Sequence, residues 1–82
     1  MSSEQPATAV DESPMVMIDR RKLRRLRQES GMNQLELADR SGLSFGYVGH
    51  LERGTRLRVS PRVLGALCDA LGVQDRTELM AS

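Results

Sequence analysis

Residues 33–54 constrain the fold most tightly, because their caps and apolar positions predict two short helices joined by a tight turn. Asn33 is a typical N-cap, and Glu36 three residues later completes a capping box. Gly42 can adopt a left-handed conformation at little steric cost, and Ser44 is placed to cap the second helix. The first helix should therefore end near residue 42 and the second should begin almost at once.

The second helix, which should end at Gly54, has two chemically different sides. At 100° per residue, Val48 and Leu51 lie on one apolar side. A helix with small residues and a cation on its outward side is suited to lie against a partner, and the DNA major groove is wide enough to admit one. That outward side carries few large side chains and is slightly basic. It consists of Gly46, Gly49, His50 and Arg53.

The spacing of polar, apolar and glycine positions here resembles the Cro/C1-type (XRE-like) helix-turn-helix family of lambdoid phage repressors and their bacterial relatives. Residues 32–38, 42–44, 47–48 and 51–54 carry the resemblance, which extends over about residues 19–80 without a gap between the two helices. It implies an all-α fold, a five-helix lambda-repressor-like DNA-binding bundle.

The resemblance also implies roles for single residues. Gln34 should hydrogen-bond a phosphate, and the loop after the second helix should run along the sugar-phosphate backbone, where Arg56 or Arg58 can enter a narrow minor groove. Arg27 should pair with Glu52 and fix the angle between helices, because an unpaired carboxylate near the core is costly. The candidate DNA-binding residues are Gln34, Ser44, Phe45, Gly46, Tyr47, Gly49, His50, Arg53, Arg56 and Arg58.

The chain departs from its relatives at the start of the second helix, where they usually place polar or basic side chains. Phe45 cannot donate a hydrogen bond but can pack on a thymine methyl group, and burial beside the turn is the alternative. His50 is expected in the groove rather than idle on the surface, and Tyr47 should offer its hydroxyl to a phosphate. Direct base readout then rests on His50 and Phe45, with Arg53 as a further candidate, and loop arginines and DNA shape supply the remainder.

The charge distribution agrees with this assignment, although the net charge is only +1. Residues 1–18 carry −3, residues 19–62 carry +6 and residues 63–82 carry −2. The positive charge is thus concentrated around the two short helices. In the helix before them, Arg20 and Arg24 are candidate phosphate neighbours.

The domain is expected to span residues 18–82, preceded by a disordered acidic tail at residues 1–17. Aromatic residues make up 2% of the chain, so the core must be aliphatic. Ser60 and Pro61 should start a core helix, and Asp75 should cap a last short one. A small apolar patch for dimerisation is expected from Val73 and Met80 together with Val59 or Val63.

One histidine and one cysteine, on an outward face and in a core helix, form neither a nucleophilic pair nor a metal site. We therefore expect no enzyme activity, cofactor, metal or small-molecule ligand. No apolar run approaches the length of a membrane segment, so we expect a cytoplasmic, nucleoid-associated protein. The predicted function is a sequence-specific transcriptional regulator, a repressor that binds a palindromic operator in double-stranded DNA as a homodimer. The alternatives are an antitoxin-type autorepressor and a protein-interaction module that uses the same helix face.

Overall fold

The computed structural model describes residues 14–81. Within that range, the elements are β1 (Val16–Met17), α1 (Arg20–Glu29), α2 (Gln34–Ser41), α3 (Phe45–Arg53), β2 (Arg58–Val59), α4 (Pro61–Leu71) and a 3₁₀ helix (Arg76–Glu78). The expectation of a five-helix all-α bundle is corrected in two respects. The last helix is a single 3₁₀ turn, and two short strands form a sheet that the sequence did not predict.

Side-chain caps fix where the helices begin. The side chain of Asp19 accepts hydrogen bonds from the backbone N–H groups of Arg21 and Lys22. These hydrogen bonds hold the pKa of its carboxyl below the usual value. Asn33 and Glu36 form the predicted capping box, with hydrogen bonds of 2.8 and 2.9 Å. The side chains of Ser44, Ser60 and Asp75 each accept a hydrogen bond from a backbone N–H at the start of the next three helices, so these predicted N-caps are confirmed.

β1 forms hydrogen bonds with two segments that are distant from it in the sequence. β1 pairs antiparallel with β2, which sets Val16 opposite Val59. On the other edge of β1, the N–H of Ala81 donates to the carbonyl of Met17 at 2.9 Å. β1 therefore lies between β2 and the C-terminal segment. Residues 16 and 17 of the expected tail form β1, and residues 1–13 of that tail lie outside the described residues. The expected domain bounds stay a prediction.

An aliphatic core joins all of these elements. α2 packs against both α3 and α4, and α1 packs against α3. Val59 is fully buried, so it is not part of an exposed apolar patch. Burial raises the pKa of the Cys68 thiol, which keeps it in the unreactive protonated form. The other buried apolar side chains are Ile18, Leu23, Met32, Leu37, Ala38, Val48, Leu51, Leu64, Leu67, Leu71 and Leu79.

Candidate nucleic-acid interface

The side of α3 that faces away from the core is largely open to solvent. Val48 and Leu51 are completely buried, whereas Gly46 and His50 on the opposite side are exposed. A Cβ atom added to Gly46 would meet no other atom within 4 Å. Phe45 is 55% exposed, so the alternative that it is buried beside the turn is wrong. The first two turns of α3 therefore expose the phenyl ring of Phe45, the backbone at Gly46 and the imidazole of His50 to solvent.

Gly49 departs from the predicted pattern, because it is buried rather than exposed. The side chain of Arg53, one turn further along α3, folds back over it. A Cβ atom on Gly49 would lie 3.1 Å from Arg53 Nη1, so the glycine provides the space in which the guanidinium lies. The prediction that Gly49 forms part of the open surface is thus wrong, and Arg53 supplies the outward group at that point.

A buried ion pair holds α3 against α1. Arg27 Nε and Nη2 donate to the two carboxylate oxygens of Glu52 at 2.5 and 3.0 Å, and Arg27 Nη1 donates to the carbonyl of Met32 at 2.8 Å. Arg27 is 9% exposed and Glu52 is 6% exposed. The hydrogen bonds to Glu52 raise the pKa of the Arg27 guanidinium above its ordinary value. The bidentate geometry fixes the angle at which α3 leaves the turn.

Gln34 completes this network, a role that the sequence did not indicate. Its Nε2 donates to Glu52 Oε1 at 3.0 Å, and the side chain is half-buried at the start of α2. The contact ties α2 to the same carboxylate that anchors α3, so one buried group sets the position of three helices. The amide group of Gln34 thus already has a partner inside the protein. Its expected phosphate contact stays a prediction.

Several arginines surround the C-terminal end of α3. Gly54, at φ +84°, ends the helix, and a Cβ atom there would lie 2.7 Å from Arg20 Cδ, so the Arg20 stem lies directly across this glycine. Arg56 and Arg58 are exposed in the segment that follows, and Arg58 lies on β2 opposite Met17. This end of α3 thus carries positive charge from two parts of the chain.

Tyr47 lies on the flank of α3, half-buried against the core. Burial raises the pKa of its hydroxyl, and the nearby positive charge of Arg56 partly offsets that effect. The hydroxyl is therefore protonated at neutral pH and able to donate a hydrogen bond. Its expected phosphate contact stays a prediction. Ser44 is exposed, with its hydroxyl oxygen engaged as the cap of α3.

Residues 14–81 contain neither a cluster of metal-binding side chains nor a helix that could span a membrane. Among them, no group of three or more His, Cys, Asp or Glu side chains is placed to hold a metal ion. None of the helices described is long and apolar enough to cross a bilayer.

Two short helices at a glycine turn, the second with one side buried and the other exposed among cations, define a helix-turn-helix protein. The chain belongs to the Cro/C1-type helix-turn-helix family: a family model described as "Helix-turn-helix domain" matches residues 20–81. The comparison with curated proteins gave no match.

Solved structures of regulatory proteins share this fold. The restriction-modification controller protein C.AhdI from Aeromonas hydrophila is 41% identical with a TM-score of 0.68, and the match covers 74% of this chain and 89% of that one. The clp gene regulator ClgR from C. glutamicum is 40% identical with a TM-score of 0.61, covering 67% and 70%. The restriction-modification controller protein C.Esp1396I is 29% identical with a TM-score of 0.66, covering 72% and 74%.

Proposed function

We propose that this protein is a sequence-specific DNA-binding transcriptional regulator that inserts α3 into the major groove. The observation that carries the proposal is the exposed side of α3, where Gly46 and His50 face solvent while Val48 and Leu51 are fully buried. The groove is wide enough to admit a helix, and because Gly46 has no side chain, the α3 backbone can approach the bases closely there.

The surrounding cations support DNA rather than protein as the partner. Arg20 lies across the end of α3, and Arg56 and Arg58 follow it in exposed positions. Guanidinium groups clustered at the end of a recognition helix can contact the phosphates that flank a groove. Because the exposed side of α3 offers few hydrogen-bonding groups, we expect base readout to be sparse, with DNA shape contributing to specificity.

We further propose that the protein acts as a homodimer that represses transcription from a roughly palindromic operator. The similar structures are named as controllers and regulators, which supports a regulatory role. Two recognition helices would enter successive major grooves about 34 Å apart. The partly buried side chains of Val63, Val73 and Met80 remain candidates for the dimer contact.

Arg53 and His50 should affect binding in different ways. We expect Arg53→Ala to weaken binding to all sequences and to reduce the slope of log K against log[salt] by about 1, as the loss of one phosphate contact would. His50→Ala should change the preference at one base pair, by a discrimination worth about 1–3 kcal/mol. Selection of bound sites from random DNA, followed by titration of both variants at several salt concentrations, measures both effects.

Arg25→Ala is the matched control, because this exposed arginine of α1 forms a surface ion pair in which its Nε lies 3.7 Å from Glu29 Oε2. Its loss should leave affinity and sequence preference nearly unchanged. Equal losses on every sequence from both Arg53→Ala and His50→Ala would contradict the separation of roles. If mixed genomic DNA is not retarded at either low or moderate salt, that result would favour the alternative, a protein-interaction module that uses the exposed side of α3.

A further inference from the structure

The side chain of His50 is held by a residue beyond the end of α3. The chain turns back at Gly54, and this brings the hydroxyl of Thr55 to 3.0 Å from His50 Nδ1. Thr55 is itself fixed, because its N–H and its hydroxyl both reach the backbone carbonyl of His50, each at 3.1 Å. The two residues therefore form a closed local cluster in which each contact constrains the others.

Counting protons in this cluster assigns the tautomer of His50. A threonine hydroxyl has one proton. If it were donated to Nδ1, the hydroxyl oxygen would face the carbonyl oxygen of His50 at 3.1 Å with no proton between them, so we assign the proton to the contact with that carbonyl. The remaining 3.0 Å contact joins the hydroxyl oxygen to Nδ1, and it is favourable only if Nδ1 carries a proton and donates it. A neutral imidazole protonated at Nδ1 has a bare lone pair at Nε2.

A competing contact is longer. Arg53 Nη2 lies 3.5 Å from His50 Nδ1, at the limit of hydrogen bonding, and it requires Nδ1 to be an acceptor. In that arrangement the lone pairs of Nδ1 and the Thr55 oxygen would face each other at 3.0 Å, which is repulsive. The shorter contact therefore decides the proton position, and Arg53 is a neighbour of the ring rather than its donor.

Resting on the proposed function, we infer that Thr55 makes His50 a reader of amino groups in the major groove. Nε2 has no hydrogen-bond partner among residues 14–81, and the exposed ring can present it to a base edge. As an acceptor, Nε2 takes a hydrogen bond from N4 of cytosine or N6 of adenine. Guanine presents only the acceptors N7 and O6, and thymine presents O4 and a methyl group. Thr55 is thus a positioning residue that determines from which bases His50 can accept a hydrogen bond.

The tautomer is measured first, in the free protein, by ¹⁵N NMR of the imidazole at a pH where the ring is neutral. We expect the proton on Nδ1 in the wild type and in Thr55→Ser, which keeps the hydroxyl. Thr55→Val removes the hydroxyl at nearly constant volume and should abolish the preference for Nδ1. A proton on Nε2 in the wild type, or no change in Thr55→Val, would overturn the assignment whether or not the protein binds DNA.

Base preference is measured next, on duplexes that differ only at the position His50 contacts. We expect the wild type and Thr55→Ser to favour cytosine or adenine there over guanine or thymine by about tenfold, and Thr55→Val to reduce that ratio to within about twofold. A preference for guanine would overturn base reading by Nε2 while leaving DNA binding intact. Absence of binding to any duplex would overturn base reading together with the proposed function, and the NMR result would still stand.

Discussion

Replacing Glu52 with alanine should lower the free energy of unfolding by about 3–5 kcal/mol, because the substitution leaves a buried guanidinium without its partner. Arg27 would lose the acceptors of its Nε and Nη2 groups, and Gln34 would lose the acceptor of its amide. Domains of this kind are stable by only about 5–15 kcal/mol, so the loss is a large share of the total. Urea denaturation followed by circular dichroism measures it.

Glu29→Ala is the matched control, since Glu29 pairs with Arg25 on the surface, where the two side chains are 64% and 60% exposed. Its loss should cost less than about 1 kcal/mol. Replacing the buried pair together, as Arg27→Met with Glu52→Leu, should recover much of the stability lost in Glu52→Ala, because no charge is then left unpaired. If Glu52→Ala costs no more than Glu29→Ala, the buried network does not hold α3 in place.

Gly46→Glu should reduce DNA affinity by about 100-fold or more while leaving the fold intact, because a carboxylate facing the duplex is repelled by phosphates. A side chain at Gly46 meets nothing within 4 Å, and a negative charge in the first turn of α3 is favourable for the helix. Fluorescence anisotropy at moderate salt measures the affinity, and thermal unfolding checks that the fold is retained.

Two variants separate the effect of charge at this position from other causes. Gly46→Ala adds a side chain without charge, so we expect its affinity to stay near that of the wild type. Gln74→Glu makes the same change in net charge relative to the wild type at an exposed position in the turn after α4, and it should weaken binding only slightly. Equal losses in Gly46→Glu and Gln74→Glu would mean that α3 does not meet the duplex.

The helix starts were predictable because each depends on a local signal. Asp19, Asn33, Ser44 and Ser60 each precede a helix that they cap, and capping needs only a short side chain a few residues from the N–H groups it accepts. The glycine turn at Gly42 is equally local, since its φ of +76° is a conformation that side chains disfavour.

The missed features depend on contacts between residues distant in sequence. β1 and β2 are two residues each, too short to show alternation, and they form because Val16 meets Val59 across the fold. The hydrogen bond of Gln34 to Glu52 joins two helices and leaves no mark on local spacing. The 3₁₀ turn near the C-terminus was missed because an N-cap such as Asp75 marks where a helix begins and does not distinguish a 3₁₀ turn from an α-helix.

The position of Gly49 shows the limit of assigning faces by helical angle. The angle placed Gly49 on the outward side, but it carries no information about how neighbouring side chains fold. Arg53 lies one turn away, within reach along the helix surface, and its guanidinium covers the glycine. The signal that was available is the pairing of a glycine with a long side chain four residues later.

The most direct test of the account is an amide NMR titration of the ¹⁵N-labelled protein with a duplex at low salt. If the exposed side of α3 is the DNA-contacting surface, the largest shift changes should fall on Gly46, His50 and Arg53 and on the arginine segment at residues 56–58. Amides of α4 and the 3₁₀ helix should change little. Changes concentrated on α4, or none on α3 when the duplex is in excess, would contradict the account.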